Sequence, residues 1–360
     1  MKVIYPHMGY LNVALNHMLD DLEVPYVPTP PITKKTVELG SLHSPEGICL
    51  PYKITMGNFL EGIQSGADTL VTICGEGKCR LGFYNAVQKI GVTRCTNQNL
   101  PLHTINSTTG LFTSLYRFLR SATNDKSRTT ILYHIAKAIK MLKAIDAVSH
   151  AKNYYGPRCS QPQRVIDFCK AGILEIGTAR SFKDIERIKE QTIAAMQAMA
   201  NQVKPVKVGL IGEFYVLMEP YVNFEIEDML VNLGVEVHRL ISTGEWAYAQ
   251  TLLRIVGLYN EEKEYLKQAR PYMNYHVGGD GLKSAGSAIW CAKNGFDGMI
   301  HAYPFGCMPE CVAQYALKNI STDYSFPMLS LSLDEHSSNV GIVTRVEAFV
   351  DCLQRRKYRA

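Results

Sequence analysis

Short, nearly unbroken apolar runs alternate along this chain with stretches in which apolar side chains return every three or four residues. The runs at 2–5, 24–27, 68–74, 207–212, 235–240, 298–302 and 327–332 predict strands, the one at 68–74 buried as in a parallel sheet. The helical spacing at 11–22, 54–64, 131–148, 184–200, 224–233, 282–294 and 344–353 predicts the intervening helices. Strand and helix in alternation predict an α/β protein with right-handed crossovers. Between about 112 and 204 the strand signal fades and helical periodicity dominates. The expected organisation is therefore an α/β domain over 1–120, a helical linking segment over 121–205 and a second α/β domain over 206–360. Both α/β parts begin strand, turn, helix, strand, which suggests a duplicated architecture.

Composition narrows the class. A chain of 360 residues suits two or three domains, and 46% hydrophobic with 20% charged residues describes a globular protein. The net charge of +5, with both signs mixed, is too mild to point to nucleic acid. No apolar run approaches the roughly 20 residues of a membrane helix, and no charged-then-apolar signal opens the chain. The expected location is the cytoplasm, away from membrane.

Ten cysteines in such a compartment point to metal binding or catalysis before disulfides. Three of them sit in glycine- or proline-rich turns beside strand-like runs. Cys49 lies in Pro-Glu-Gly-Ile-Cys-Leu-Pro-Tyr-Lys at 45–53, Cys79 in Gly-Glu-Gly-Lys-Cys-Arg at 75–80, and Cys307 in Tyr-Pro-Phe-Gly-Cys-Met-Pro-Glu at 303–310. Three thiolates meeting in one crevice with an open fourth corner would suit an iron–sulfur cluster. Backbone N–H groups in such turns would offset the cluster's negative charge, with Lys53, Lys78 and Arg80 as added cations. The alternative is three unrelated buried thiols beside ordinary turns. Cys74 and Cys311 are candidate further ligands, although their spacing to Cys79 and Cys307 is looser than a zinc knuckle. Cys95, Cys159, Cys169, Cys291 and Cys352 lack the turn context and read as buried thiols.

Other constellations are weaker. The segment from Val208 to Tyr215 matches neither the dinucleotide nor the P-loop glycine pattern, so no nucleotide site of its own is expected. The run Gly278, Gly279, Asp280, Gly281 reads as a flexible turn rather than an anion cradle. Glu213, Tyr215, Glu219 and Tyr221 follow the strand at 207–212 and are expected at the sheet's carboxyl edge, as are Asp334, Glu335 and His336 after the last strand. Glu213, Glu335 and His336 are candidate proton handlers. Glu335 and His336 have an alternative reading, as caps of the last helix or as fasteners of the domains.

At these residues the chain resembles the 2-hydroxyacyl-CoA dehydratase and double-cubane cluster superfamily. It looks most like the stand-alone members labelled CoA protein activase, or acyl-CoA dehydratase activase-related. The matching segments are 44–59, 75–84, 212–216, the Pro-Phe-Gly-Cys-Met-Pro-Glu run at 304–310, Asp-Glu-His at 334–336 and 344–349, in order over nearly the whole chain. The resemblance implies two flavodoxin-like, Rossmann-like parallel-sheet domains with an iron–sulfur cluster between them. It implies Cys49, Cys79 and Cys307 as ligands of a [4Fe-4S] cluster, or of a double-cubane [8Fe-9S] cluster with Cys74 and Cys311 as the first extra candidates. It further implies a small-molecule substrate, a dimer, and electrons delivered by a separate ATP-dependent iron–sulfur activator. The activase label refers to that actin-like ATPase, whose nucleotide motifs are not visible here. A non-catalytic scaffold or electron carrier for a larger enzyme is the competing expectation.

Overall fold

The computed structural model describes residues 1–75, 79–106, 110–123, 126–253 and 261–359. The chain divides into two compact units, Met1–Leu142 with Trp246–Tyr259, and Lys143–Glu245 with Asn260–Ala360. The helical stretch expected over 121–205 is shared between them. Its longest helix is continuous across the division, because amphipathic spacing fixes which face is apolar but not what covers it.

In the first unit, β1 (Val3–Ile4) leads through α1 (Leu11–Asp21), α2 (Lys34–Leu42) and α3 (Leu50–Gln64) to β2 (Thr69–Cys74). A 3₁₀ turn at Arg80–Phe83, α4 (Tyr84–Thr96), β3 (Leu102–Asn106), α5 (Leu111–Ala122) and the start of α6 (Arg128–Tyr155) follow. The strands pair in parallel in the order β1-β2-β3. The expected strand at 24–27 reduces to a single parallel bridge from Tyr26 to Val3. Pro25 and Pro28 flank it, and proline cannot donate to a ladder.

Helix α3 starts directly after Cys49, four residues earlier than its apolar spacing predicts, because Pro51 in its first turn has a φ suited to helix initiation. Every residue from Leu50 to Leu60 is buried. This helix touches α2 at two glycines. A Cβ on Gly40 would stand 1.7 Å from the Lys53 carbonyl oxygen, and one on Gly57 2.1 Å from that of Thr36. A buried polar chain ties α3 to β2 and α4: Thr72 donates to Gln88 at 3.0 Å, and Gln88 donates to Thr55 at 2.9 Å.

In the second unit, the remainder of α6 leads to α7 (Pro162–Ile176), α8 (Phe182–Ala198), β4 (Val206–Gly212), α9 (Phe214–Met218), α10 (Ile226–Asn232) and β5 (Val235–Arg239). α11 (Thr243–Tyr248) begins in the second unit; its last three residues and the π-helical turn at Ala249–Leu253 belong to the first. The second unit resumes with α12 (Glu261–Ala269), α13 (Gly281–Lys293), β6 (Gly298–Pro304), α14 (Met308–Asp323), β7 (Met328–Leu333) and α15 (Asn339–Arg359). All four strands are parallel, in the order β5-β4-β6-β7. Every residue of β6 is buried. Helix α13 lies close on the sheet at Gly209, where a Cβ would meet Cys291 Sγ at 2.7 Å.

The protein is therefore α/β with two parallel sheets. If the Tyr26 bridge stands for a second strand, both sheets run second, first, third, fourth. The chain steps to one side of its first strand and then crosses back, so each sheet has a switch point between its first and third strands. In the second unit that point lies between the ends of β4 and β6. Among the described residues no helix is long and apolar enough to cross a membrane.

Candidate functional site

All three turn cysteines occupy one local position: each is the residue immediately before a helical turn, in extended backbone. Cys49 precedes α3 with φ −69° and ψ 151°, Cys79 precedes the 3₁₀ turn with φ −93° and ψ 138°, and Cys307 precedes α14 with φ −71° and ψ 105°. Cys49 and Cys307 share a further signature, a proline at the second helical position, Pro51 and Pro309. A sulfur at this position lies where unpaired N–H groups and the helix dipole favour negative charge. Cys49 and Cys307 are buried, and Cys79 is partly exposed.

In the first unit the two cysteine turns are fastened together. Arg80 donates from Nη1 to the Gly47 carbonyl at 2.7 Å, and the Cys49 Sγ lies 2.7 Å from the Tyr84 hydroxyl oxygen. The Tyr84 ring meets Tyr52 edge-on at 5.1 Å between centroids. Burial pushes the Tyr52 phenol up to about 12, with Cys95 adding to the shift. Cys74 ends β2, buried, and desolvation raises its thiol above the ordinary range. Of the three expected cations, Arg80 serves the Gly47 carbonyl and Lys53 is buried within α3. Lys78, with Glu76 and Gly77 of the same turn, lies outside the described residues.

In the second unit the switch point collects acids. Glu213 follows β4 and caps α9, its Oε2 accepting from the Val216 N–H at 3.0 Å. Asp280 precedes α13, and its Oδ2 accepts from the Phe214 N–H at 3.1 Å. Glu310, in the first turn of α14, is wholly buried; its Oε2 is 2.8 Å from His301 Nε2, while Oε1 has no hydrogen-bond partner. The starts of α13 and α14 abut, since a Cβ on Gly281 would stand 2.5 Å from the Pro309 carbonyl oxygen. Burial, reinforced by the Glu310 charge, lifts the Glu213 carboxyl to about 7. Burial, with Glu310 and Glu213 nearby, holds Asp280 well above the usual carboxylate range. Lys283 Nζ is 3.5 Å from Asp280 Oδ1, and desolvation lowers its ammonium to about 8. Such carboxyls can carry a proton at neutral pH and release it.

The remaining expected residues fall elsewhere. Cys311 is exposed, in the first turn of α14, where its N–H donates to the Cys307 carbonyl at 2.9 Å. Tyr215 and Glu219 are buried, while Tyr221 is exposed. Asp334 shapes the turn after β7, accepting from the His336 N–H at 2.9 Å, and Ser338 caps α15 by accepting from the Gly341 N–H at 3.2 Å. Glu335 is partly exposed and His336 exposed beside that turn. Of the five cysteines expected to be buried, Cys169 and Cys291 are; Cys95 and Cys352 are exposed and Cys159 partly so. Cys95 lies near the end of α4 and Cys352 on α15, each on a solvent face, which apolar spacing over a few residues does not specify.

Sequence reading did not single out Lys283, His301 or Glu310, and took Asp280 only as part of a flexible turn. The signal available for Asp280 was its position between glycines and an apolar helical run, where an acidic N-cap is common. Among the described residues no set of three or more His, Cys, Asp or Glu side chains is gathered as a metal-holding group. Cys49 and Cys79 belong to one unit and Cys307 to the other. The donor chemistry still fits an iron–sulfur cluster, which is bound by cysteine thiolates and compensated by helix-start N–H groups. Comparison of the chain with protein-family models and with curated proteins finds no match.

Proposed function

We propose that this chain is an iron–sulfur protein that accepts low-potential electrons from an ATP-dependent iron–sulfur activator and uses them in reductive chemistry on a small substrate. The observation that carries this reading is the shared position of Cys49, Cys79 and Cys307, each at the start of a helical turn in extended backbone. These three residues would hold a [4Fe-4S] cluster; a double-cubane [8Fe-9S] cluster would need more thiols, Cys74 and then Cys311. When bound, the cluster supplies one-electron chemistry. Glu213, whose carboxyl sits near neutrality at the switch point, is the proton handler of this scheme. Glu335 and His336 are the lesser candidates for that role. The strand order β5-β4-β6-β7 supports a flavodoxin-like kinship for the second unit. A cytoplasmic, dimeric protein without nucleic-acid or membrane partners completes the proposal.

The competing reading is a non-catalytic scaffold or electron carrier for a larger enzyme or cofactor-assembly system. The test is iron and acid-labile sulfide per chain on anaerobically purified protein, with EPR after reduction. About four irons support one cubane and about eight support two. Cys49→Ala, Cys79→Ala and Cys307→Ala should each lose the cluster. Iron absent after anaerobic reconstitution, or retained in all three variants, would overturn the assignment.

A further inference from the structure

The loop that leaves β1 is held by two asparagine side chains from different helices. Asn58, in the third turn of α3, is wholly buried, and its Oδ1 accepts from the His7 N–H at 3.1 Å. Asn12, in the first turn of α1, is 7% exposed, and its Oδ1 accepts from the Met8 N–H at 3.2 Å. A backbone N–H only donates, so these bonds fix which end of each carboxamide is oxygen. The two Nδ2 groups therefore sit beside consecutive residues of one loop, and neither has a hydrogen-bond partner. A buried donor left without an acceptor is costly, so both mark a place for an acceptor group. Position and backbone point the same way. Strand order puts β1 between the Tyr26 bridge and β2, so this loop lies at the switch point of the first unit, where open α/β sheets take ligands. Gly9 holds φ +50° and turns the chain into α1. That helix starts with neither a side-chain cap nor an acidic residue in its first turn, and its dipole presents positive charge to the same loop. Pro6, His7, Tyr10 and Leu11 are partly exposed, which opens a way in from solvent.

We propose that the loop after β1 is a binding site for the oxyanion of a small molecule, a carboxylate or a phosphate, seated against the Nδ2 groups of Asn12 and Asn58 at the start of α1. Both carboxamides have their oxygens engaged on the backbone and turn only donors to the site. A donor-only lining selects an acceptor-only group, whereas an ammonium would set donor against donor. The dipole of α1 favours a negative charge over a neutral carbonyl. In a desolvated site each N–H···O bond is stronger than it would be in water. The site is built from the first unit and stands apart from the cysteine turns, since Asn58 lies roughly 13 Å along α3 from Cys49. It goes beyond the proposed iron–sulfur function and does not depend on it.

The test is an NMR titration of the full chain, ¹⁵N-labelled at asparagine, with acetate and separately with inorganic phosphate. It reads the side-chain NH₂ resonances, assigned through their own backbones. Those of Asn12 and Asn58 should shift together and saturably, with a dissociation constant in the millimolar range of a fragment-sized anion. The exposed Asn201 is the internal control and should not move. The tighter of the two probes names the group. Asn12→Asp and Asn58→Asp keep an oxygen for the Met8 and His7 N–H groups but replace the donor with a negative oxygen. Each should weaken binding at least about tenfold. Should one variant fail to fold, the other serves, and the titration of the parent chain still decides. No saturable shift with either probe would overturn the proposal and assign the two donors to buried water. Equal binding by the parent and a folded variant would overturn it as well.

Discussion

The Cys49 sulfur stands 2.7 Å from the Tyr84 hydroxyl oxygen, across 35 residues of sequence. With the Arg80–Gly47 bond, this contact locks the two cysteine turns of the first unit together. Tyr84→Phe removes one buried hydrogen bond while keeping the ring against Tyr52. It should cost about 1 kcal/mol, read as a lower urea midpoint for the first unit at unchanged slope. An unmoved midpoint would show that the pair does not hold the turns.

The α2–α3 contact leaves no room for a methyl group. Gly40→Ala would place Cβ 1.7 Å from a backbone carbonyl oxygen, so the helices must separate. A loss of more than about 3 kcal/mol, or no folded protein, is expected. Gly47→Ala, where a Cβ would meet nothing within 4 Å, is the control. It should change the thermal midpoint little, and equal effects from the two would sink the packing argument.

Glu213 gives stability a falling limb at neutral pH. Its folded value near 7 lies above the ordinary 4.5, so its contribution is fully present below about 4.5 and is lost as pH rises through 7. Glu213→Gln cannot ionise and retains an oxygen for the Val216 N–H. At pH 8 the variant should be more stable than the parent by up to about 3 kcal/mol, with no advantage at pH 4.5. Parallel pH–stability curves would contradict the raised carboxyl.

Glu236 behaves in the opposite sense. Burial pushes its carboxyl up, but hydrogen bonds from His238 at 2.5 Å and Arg158 at 2.6 Å outweigh it and bring the value to about 2. Its contribution is present above the ordinary 4.5 and is lost as pH falls towards 2. Glu236→Gln should cost on the order of 3 kcal/mol at pH 7 and progressively less in acid. A penalty independent of pH would assign the loss to packing instead.

A nearly buried ion network joins α6 to α10. Lys152 pairs with Asp228, and its Nζ is 3.6 Å from Glu227; Lys170 reaches Asp228 at 3.0 Å. Lys152→Met leaves two buried carboxylates short of a cation and should destabilise by about 3–5 kcal/mol. The double change with Asp228→Leu should recover part of that, measured by a thermodynamic cycle. Simple additivity would argue against coupling.

Much of the skeleton was legible. The apolar runs ending at Cys74, at Gly212 and near Ala302 are strands because parallel strands are buried on both faces. The extra length of β6 to Pro304 and of α3 back to Leu50 was not legible, since a tight turn and a helix start share proline and glycine. Helices α2 and α4 escaped notice for a related reason: their apolar stripes are short and interrupted by polar residues that solvent or neighbours accept. The turn cysteines and Glu213 stood out by residue type. Asp280, Lys283, His301 and Glu310 did not, because nothing in a single acidic or basic residue reports its burial.

By itself the sequence determined the α/β alternation, the positions of the three cysteines before helical runs, and the lack of an apolar stretch long enough to span a membrane. These follow from periodicity and turn chemistry, which are local. Only the tertiary structure decided that β4 and β6 become neighbours with β5 outside them, and so that Glu213, Asp280 and Glu310 meet at one sheet edge. Only it decided that Glu310 is fully buried with one oxygen unpartnered. Desolvation and the mutual repulsion of acids depend on what surrounds each group in space. Residues 213, 280 and 310 are brought into one electrostatic environment by crossover connections that no local pattern records.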